Sequence, residues 1–266
     1  MQREAEDAAS AFSDVSALYI DLLKRSLTNN IFLTEPDSNE ESPHRYVSRA
    51  IAHYQQSSAV SMLPLVRLDN LEQAIRDVVG RGVPGDFIET GVWRGGATIF
   101  MRAMLSVLGV NDRSVWVADS FEGLPEPDAE RFPREAESYR SAAMTTYYKH
   151  LAVGLDEVKR NFAAYGQLDD QVKFLKGWFK DTLPGAPVER LAILRLDGDY
   201  YESTWDALTN LYGRLSTGGY VIVDDYGEDA WTYCRRAVDD FRREHAITDA
   251  LVRVDRPCSY WIKTGR

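Results

Sequence analysis

The chain has 266 residues, of which 44% are hydrophobic and 27% charged, with a formal net charge of −10 and a pI of about 5.0. These values are typical of a globular protein with a sizeable core, and the acidic balance argues against a nucleic-acid partner. The two cysteines lack C-x-x-C spacing, and no apolar run approaches the length of a membrane span. The polar, acidic N-terminus does not resemble an export signal. We therefore expect a cytoplasmic protein that binds neither nucleic acid nor membrane.

Apolar residues at helical spacing predict three helices in the N-terminal part, over residues 15–28, 45–56 and 63–80. One face of the first helix is predicted to carry Leu18, Leu22, Leu23 and Leu27. The polar run 35–43 is rich in loop formers. We group residues 1–82 as an N-terminal helical extension and residues 83–266 as the domain that carries the chemistry.

A short strand, a glycine-rich turn and a helix open this second domain. The strand 86–89 ends in Glu89, and Gly91, Gly95 and Gly96 allow a tight turn before the helix. Free N–H groups at a helix N-terminus beside a carboxylate are typical of a nucleotide site. Three residues separate the first two glycines, so the turn is not the dinucleotide motif G-x-G-x-x-G. The E-x-G-x-x-x-G form is common in enzymes that use S-adenosylmethionine (SAM), and a plain packing turn is the alternative.

A second apolar strand, residues 114–119, ends in Asp119. In a doubly wound sheet, an acid at the end of the second strand accepts hydrogen bonds from both ribose hydroxyls of a nucleoside. We therefore predict that Asp119 is a ribose ligand, against the alternative that it caps the following turn. Ser61 and Met62, which lie between the second and third predicted helices, are candidates to cover the same cofactor.

The alternation of strands and helices pauses between residues 121 and 155. This connection is long, and it contains prolines together with Tyr139, Tyr147 and Tyr148. We predict a lid that recognises the substrate, with a disordered insert as the alternative. Beyond it, Trp178 follows a predicted strand and Gly177, where it fits an adenine face and a core anchor equally well.

Two later predicted strands are each followed by a pair of carboxylates, Asp197 with Asp199 and Asp224 with Asp225. Because parallel strands end at one edge of a sheet, we expect both pairs to lie together. Carboxylates this close repel one another and raise each other's pKa unless a cation lies among them. All-oxygen ligands favour Mg²⁺, with Mn²⁺ or Ca²⁺ as alternatives.

Roles for these acids follow from metal chemistry. We expect Asp197, Asp224 and Asp225 to hold the ion, and Asp199 to remove the proton of a substrate hydroxyl that the ion orients and acidifies. Asp197 is thereby predicted to be both a catalytic and a cofactor-contacting residue. The alternative is that individual acids cap the helices that follow them.

The end of the chain indicates the fold class. A helix over 229–245 precedes two short apolar runs, 250–254 and 258–262, that predict an antiparallel hairpin. Five strand–helix units followed by such a hairpin resemble the seven-stranded α/β sheet of Rossmann-like class I SAM-dependent methyltransferases. A nicotinamide-binding sheet is expected to continue with parallel strands instead.

Six motifs, taken together, are more specific than any one of them. They are LYIDLLKR at 18–25, PGDFIETGVWRGGA at 84–97, VWVADSFEGLP at 115–125, GWFKDTLP at 177–184, LRLDGD at 194–199 and DDY at 224–226. This combination resembles the macrocin O-methyltransferase family, whose members use SAM and a metal to methylate deoxysugar hydroxyls on macrolide and aminocoumarin antibiotics.

The resemblance implies a glycosylated small-molecule acceptor and a homo-oligomer. It implies SAM contacts at Glu89, Gly91, Asp119, Ser120 and Trp178, beside which we place Thr90 and Gly177, and a metal at Asp197, Asp224 and Asp225. The variable stretches around 34–44 and 126–150 follow no pattern that identifies one substrate, so the acceptor is left open. A catechol-type O-methyltransferase acting on an aromatic diol is the closest alternative, and a nicotinamide-dependent oxidoreductase and a non-catalytic binding module are more distant ones.

Overall fold

The computed structural model describes residues 2–31, 58–227 and 232–265, with side chains from residue 15 onward except at 142–144, 146 and 147. The predicted helix 45–56 and the polar run 35–43 lie outside the described residues, as does the start of the helix predicted over 229–245.

The N-terminal part contributes two described helices, α1 (Gln2–Leu27) and α2 (Leu65–Gly80). Helix α1 begins well before the predicted residue 15, whereas α2 agrees with the prediction. The single leucine face predicted for α1 is wrong, because Leu23 and Leu27 are buried while Leu18 and Leu22 are 70% and 57% exposed. At 3.6 residues per turn, the 18/22 pair and the 23/27 pair lie on different sides of a helix.

One seven-stranded sheet organises the described residues. Its strands are β1 (Asp86–Thr90), β2 (Val115–Asp119), β3 (Val172–Lys176), β4 (Leu191–Leu196), β5 (Leu215–Val223), β6 (Val252–Arg253) and β7 (Ser259–Ile262). The spatial order is β3-β2-β1-β4-β5-β7-β6, in which the first five are parallel and β7 pairs antiparallel with both β5 and β6. The predicted terminal hairpin is confirmed.

Seven α-helices connect the strands of this sheet in the described residues. They are α3 (Gly96–Val107), α4 (Pro133–Arg140), α5 (Ala142–Leu151), α6 (Leu155–Ala164), α7 (Phe179–Thr182), α8 (Tyr201–Leu211) and α9 (Thr232–Glu244). The long connection predicted as a lid therefore contains two helices, α4 and α5. The alternative of a disordered insert is not supported.

The sheet separates two buried cores. Phe87 and Ile193 point into the core shared with α1, α2 and α3, while Ile88 and Leu194 point into the core under α8 and α9. Successive side chains of a strand face opposite sides, so a strand covered on both faces is apolar at every position. Arg195 departs from this rule inside β4, where it is only 2% exposed, and it marks the candidate site.

Candidate active site

The carboxyl ends of β1, β4 and β5 lie in register. Thr90 is opposite Leu196, and Leu196 is opposite Val223. The N–H of Asp197 donates to the Thr90 carbonyl and that of Asp224 to the Leu196 carbonyl, both at 2.9 Å. Backbone pairing therefore continues one residue beyond the strands and positions both acids at the same edge.

Three carboxylates converge there. Each of Asp197, Asp224 and Asp225 offers an oxygen, and these atoms lie within 4.8 Å of one another. The Oδ2 atom of Asp225 is buried and accepts no hydrogen bond from the described residues. Burial, followed by the charges of Asp199, Asp197 and Asp224, raises the pKa of Asp225 well above its ordinary value. An unused buried oxygen beside two further carboxylates fits the donor set of a hard divalent cation.

Arg195, which the sequence analysis did not assign, lies among these acids. It donates to Asp197 at 2.9 Å, to Asp224 at 2.5 Å and to Glu89. Burial alone would lower the pKa of Arg195, but the charges of Asp224, Glu89 and Asp197 raise it well above its ordinary value. The chain thus supplies one cation of its own to these acids, and the metal ion predicted at Asp197, Asp224 and Asp225 stays a prediction. The sequence signal for the role of Arg195 was a charged residue inside the apolar strand Leu191–Leu196.

A second arginine reaches the cluster from the N-terminal helices. Arg67 of α2 donates to Asp224 at 2.5 Å and to Asp255 at 2.7 Å, and all three side chains are at most 8% exposed. Asp224 thus accepts Arg195 on Oδ1 and Arg67 on Oδ2. This bracing fixes the orientation of the carboxylate. It also means that a residue of the predicted extension 1–82 helps to build the site.

Glu89 lies behind the cluster and is 2% exposed. One of its oxygens pairs with Arg195, while Oε2 is buried and accepts no hydrogen bond from the described residues. Burial raises the pKa of Glu89 to about 8, although the Arg195 charge opposes the rise. The second oxygen is available to a hydroxyl or amino group that enters the cavity.

A larger cavity of about 350 Å³ adjoins the carboxylates. Its lining includes Gly91, Asp119, Ser120, Trp178 and Asp197. The volume lies in the range of small-molecule sites, about 300–1,000 Å³. Trp178 is half-buried and belongs to neither core, so the alternative that it is a core anchor is not supported.

The Asp119 carboxylate is held by the backbone. Its Oδ2 accepts the N–H of Val92 and its Oδ1 that of Phe121, both at 2.7 Å. Burial nevertheless raises the pKa of Asp119 above its ordinary value. The Ser120 hydroxyl also donates to Oδ1 at 3.4 Å, so the carboxylate is fixed in place at the cavity wall, where a ribose hydroxyl could donate to it.

Two smaller cavities, an acidic cavity and a passage beside it, lie between the carboxylate cluster and the larger cavity. Ser61, Met62, Glu89, Asp199 and the three clustered acids line the acidic cavity, and Met62, Gly91, Asp119 and Asp199 line the passage beside it. Thr90 and Gly177 line none of these spaces. The Thr90 hydroxyl donates to the Arg195 carbonyl at 3.4 Å, and the Gly177 N–H to the Asp119 carbonyl at 2.9 Å. Their roles as SAM contacts remain predictions.

Gly91 is required by the approach of two strands. Its φ is +89°, and a Cβ there would lie 1.8 Å from the Asp197 carbonyl oxygen. We expect Gly91→Ala to destabilise the fold by about 2–5 kcal/mol, because backbone strain adds to a clash with backbone. Urea denaturation, which gives the free energy of unfolding, measures this loss of stability. Gly109→Ala is the matched control, with φ +66° and open space around it, and equal losses in the two variants would contradict the steric argument.

Helices α4 and α5 of the predicted lid contact residues at this edge of the sheet. The Trp93 indole donates to the His150 carbonyl at 2.8 Å, which ties the end of α5 to the turn after β1. Tyr139 stacks on Tyr148 at 5.2 Å between ring centroids, and both meet Tyr200 edge-on. Tyr200 follows Asp199 directly, so the lid contacts the segment that carries that acid. The Tyr147 side chain lies outside the description.

The chain has close relatives of known activity. Residues 39–263 match the family described as Macrocin-O-methyltransferase (TylF). The chain is 46% identical over 263 residues to demethyldecarbamoylnovobiocin O-methyltransferase of Streptomyces niveus, covering 97% of this chain and 98% of that protein. It is 46% identical over 261 residues to mycinamicin III 3''-O-methyltransferase of Micromonospora griseorubida, covering 93% and 97% respectively.

Solved structures agree with this match. The O-methyltransferase NovP superposes with a TM-score of 0.80 at 45% identity, over 94% of this chain and 100% of that one. The calicheamicin methyltransferase CalS11 superposes with a TM-score of 0.60 over 84% and 94%, and at 19% identity it supports the fold alone. No helix among the described residues has the length and apolarity needed to cross a bilayer.

The sheet order and the related structures therefore indicate the same fold. The fold is that of the Rossmann-like class I SAM-dependent methyltransferases, as predicted. Because the family match spans residues 39–263 and the relatives cover nearly the whole chain, this protein is an O-methyltransferase that belongs to the macrocin O-methyltransferase family.

Proposed function

We propose that the enzyme transfers the methyl group of SAM to a deoxysugar hydroxyl of a glycosylated antibiotic, with the help of Mg²⁺. The observation that carries the proposal is the carboxylate cluster of Asp197, Asp224 and Asp225 directly beside the cavity of Asp119 and Trp178. The relatives' names support the acceptor class, since they specify a demethylated novobiocin derivative, a rhamnosyl tetracenomycin and mycinamicin III.

The nucleoside part of the cofactor would occupy the larger cavity, and its amino-acid end would enter the adjoining acidic cavity. Asp119 accepts the ribose hydroxyls, Trp178 covers the adenine, and the free oxygen of Glu89 receives the amino group. Ser61 and Met62 line the acidic cavity on the N-terminal side, where a Cβ on Gly96 would lie 2.4 Å from that of Ser61. Gly96 thus permits this segment to approach the start of α3.

When bound, SAM supplies an electrophilic methyl group and Mg²⁺ lowers the pKa of a hydroxyl that it coordinates. Asp197, Asp224 and Asp225 would hold the ion, while Arg195 and Arg67 keep Asp224 oriented. Asp199, half-buried in the wall of the acidic cavity, accepts the proton of the acceptor hydroxyl. The oxygen then attacks the methyl carbon as the bond to sulfur breaks.

Two further properties belong to the proposal. The lid supplies Tyr139 and Tyr148 as flat surfaces for the sugar or aglycone.

The exposed apolar positions on α1, among them Val15, Leu18 and Leu22, suit a contact with a second copy of the chain. We therefore expect a homo-oligomer, and we expect it to be cytoplasmic.

Calorimetric titration tests the cofactor assignment. SAM and S-adenosylhomocysteine should bind EDTA-treated protein, and NAD⁺ should not. Acceptor assays would then compare demethyldecarbamoylnovobiocin with a simple catechol, with and without Mg²⁺. Binding of NAD⁺, or turnover of the catechol alone, would overturn the proposal.

Asp119→Ala should weaken SAM binding by about 10–100-fold, since hydrogen bonds to a charged group contribute about 1.5–3 kcal/mol. The same titration measures this change. Asp112→Ala, an exposed aspartate shortly before β2, is the control. An unchanged Kd for Asp119→Ala would remove the residue from the ribose site.

A further inference from the structure

Lid helix α4 carries a buried carboxyl group that the proposed reaction does not use. Glu135 is 0% exposed, and its Oε1 accepts the backbone N–H of Tyr201 at 2.9 Å. Tyr201 is the first residue of α8, and the residue before it, Tyr200, makes no side-chain capping bond. The first N–H groups of a helix have no partner within the helix. Glu135 therefore caps α8 from another element of the fold.

Further contacts join the lid to the same short segment. The rings of Phe132 and Tyr201 lie 4.9 Å apart between centroids. Arg131 pairs with Glu202 at 2.9 Å, an exposed ion pair of small worth. Together with the two lid tyrosines that meet Tyr200, these contacts attach the lid to each of residues 200–202.

This segment begins immediately after Asp199. Asp199 has a φ of +58°, a left-handed conformation that L-residues keep only when their surroundings hold them there. The N–H of Tyr200 donates to the Gly198 carbonyl at 2.6 Å, and Tyr200 is 5% exposed. The lid contacts thus fix the residue next to the strained aspartate.

We propose that Glu135 is a positioning residue that fastens the lid to the N-terminus of α8 and thereby holds Asp199 in place. The role of Asp199 rests on the function proposed above, but the attachment of the lid does not. Loss of the Glu135 contact should therefore loosen α4, α5 and residues 197–203 together.

The chemistry of Glu135 makes this attachment sensitive to pH. Burial raises the pKa of Glu135 to about 7; the N–H of Tyr201 and Arg236 of α9 oppose the rise, and Glu202 adds to it. The hydroxyl groups of Tyr148, Tyr200 and Tyr233 are the other titratable groups coupled to it. A free glutamate titrates near about 4.3. The attached state binds the proton more tightly. The attachment is therefore strongest at a pH below the pKa of a free glutamate, and it weakens as the pH rises through the raised pKa of about 7.

Hydrogen–deuterium exchange of the full chain tests the proposal, with rates corrected for the intrinsic effect of pH. Glu135→Ala should lower the protection of residues 133–151 and 197–203 at least tenfold at pH 6. Glu135→Gln keeps an acceptor oxygen and should retain most of the protection, without the fall that the unmodified chain shows between pH 6 and pH 8. Glu137→Ala, an exposed glutamate on the same helix, is the matched control.

Equal protection in Glu135→Ala and Glu137→Ala would overturn the attachment. Loosening of the lid without residues 197–203 would overturn the link to Asp199. If Glu135→Ala does not fold, the comparison of Glu135→Gln with the unmodified chain tests the proposal instead. Identical pH dependence of exchange protection in these two proteins would also overturn it. SAM titration on the same samples tests the proposed function separately, since its failure leaves the exchange result unaffected.

Discussion

Asp225→Asn is expected to abolish Mg²⁺-dependent methyl transfer while SAM still binds with nearly unchanged affinity. The Oδ2 atom of Asp225 is the buried oxygen of the cluster that accepts no hydrogen bond from the described residues, so it is the one most available to a cation. Asparagine removes the charge and places an N–H₂ group or a weaker oxygen at that position. Asp225 does not line the larger cavity, where Asp119 and Trp178 would hold the ribose and the adenine, which is why cofactor binding should persist.

The size of the effect separates a direct ligand from a supporting residue. Loss of an outer-shell group typically costs about 10–100-fold in metal affinity or activity, and loss of a ligand should exceed this. Turnover across a Mg²⁺ titration, with calorimetry for SAM, measures both quantities. Asp170→Asn, an exposed aspartate, is the control. Full activity of Asp225→Asn at ordinary Mg²⁺ concentrations would remove the residue from the metal site.

Arg195→Met should have the largest effect on stability. The guanidinium is 2% exposed and pairs with three carboxylates, Glu89, Asp197 and Asp224. Removing one partner of a buried pair leaves uncompensated charge and typically costs about 3–5 kcal/mol. Urea unfolding of the metal-free protein measures the loss. Arg195→Lys should recover only part of it, because an ammonium group cannot reach three carboxylates as a planar guanidinium does.

Two comparisons sharpen this result. Arg190→Met, on an exposed arginine just before β4, shows the cost of losing a surface charge. Glu89→Met combined with Arg195→Met should be more stable than Arg195→Met alone, since the double change removes one of the unpaired acids. Equal stability of the Arg195 and Arg190 variants would mean that the buried ion pairs do not hold the sheet edge together.

The contrast between Glu89 and Arg195 shows where local sequence patterns stop being informative. Both residues stand in apolar strands, and each was visible in the sequence as a charge in an unusual place. Their pairing depends on β1 lying beside β4 with Glu89 opposite Arg195. Strand neighbours that are not consecutive in the chain follow from the crossover connections of the sheet, which short-range periodicity does not encode.

Arg67 and Glu135 were missed for a related reason. Arg67 lies 157 residues before Asp224, and Glu135 lies 66 residues before Tyr201. In a helix, each reads as an ordinary solvated charge. Only packing of α2 and α4 against the end of the sheet removes these side chains from water, and burial then demands the partners that the structure supplies.

The sequence by itself determined the strands, the terminal hairpin and the order of the acids at the strand ends, because backbone periodicity and the glycine turn are local properties. It also carried the family motifs, from which the methyltransferase activity followed. Only the tertiary structure decided which charges pair, which face of α1 is buried and where the lid is attached. Those features depend on distances between residues far apart in the chain, and such distances exist only once the helices have packed on the sheet.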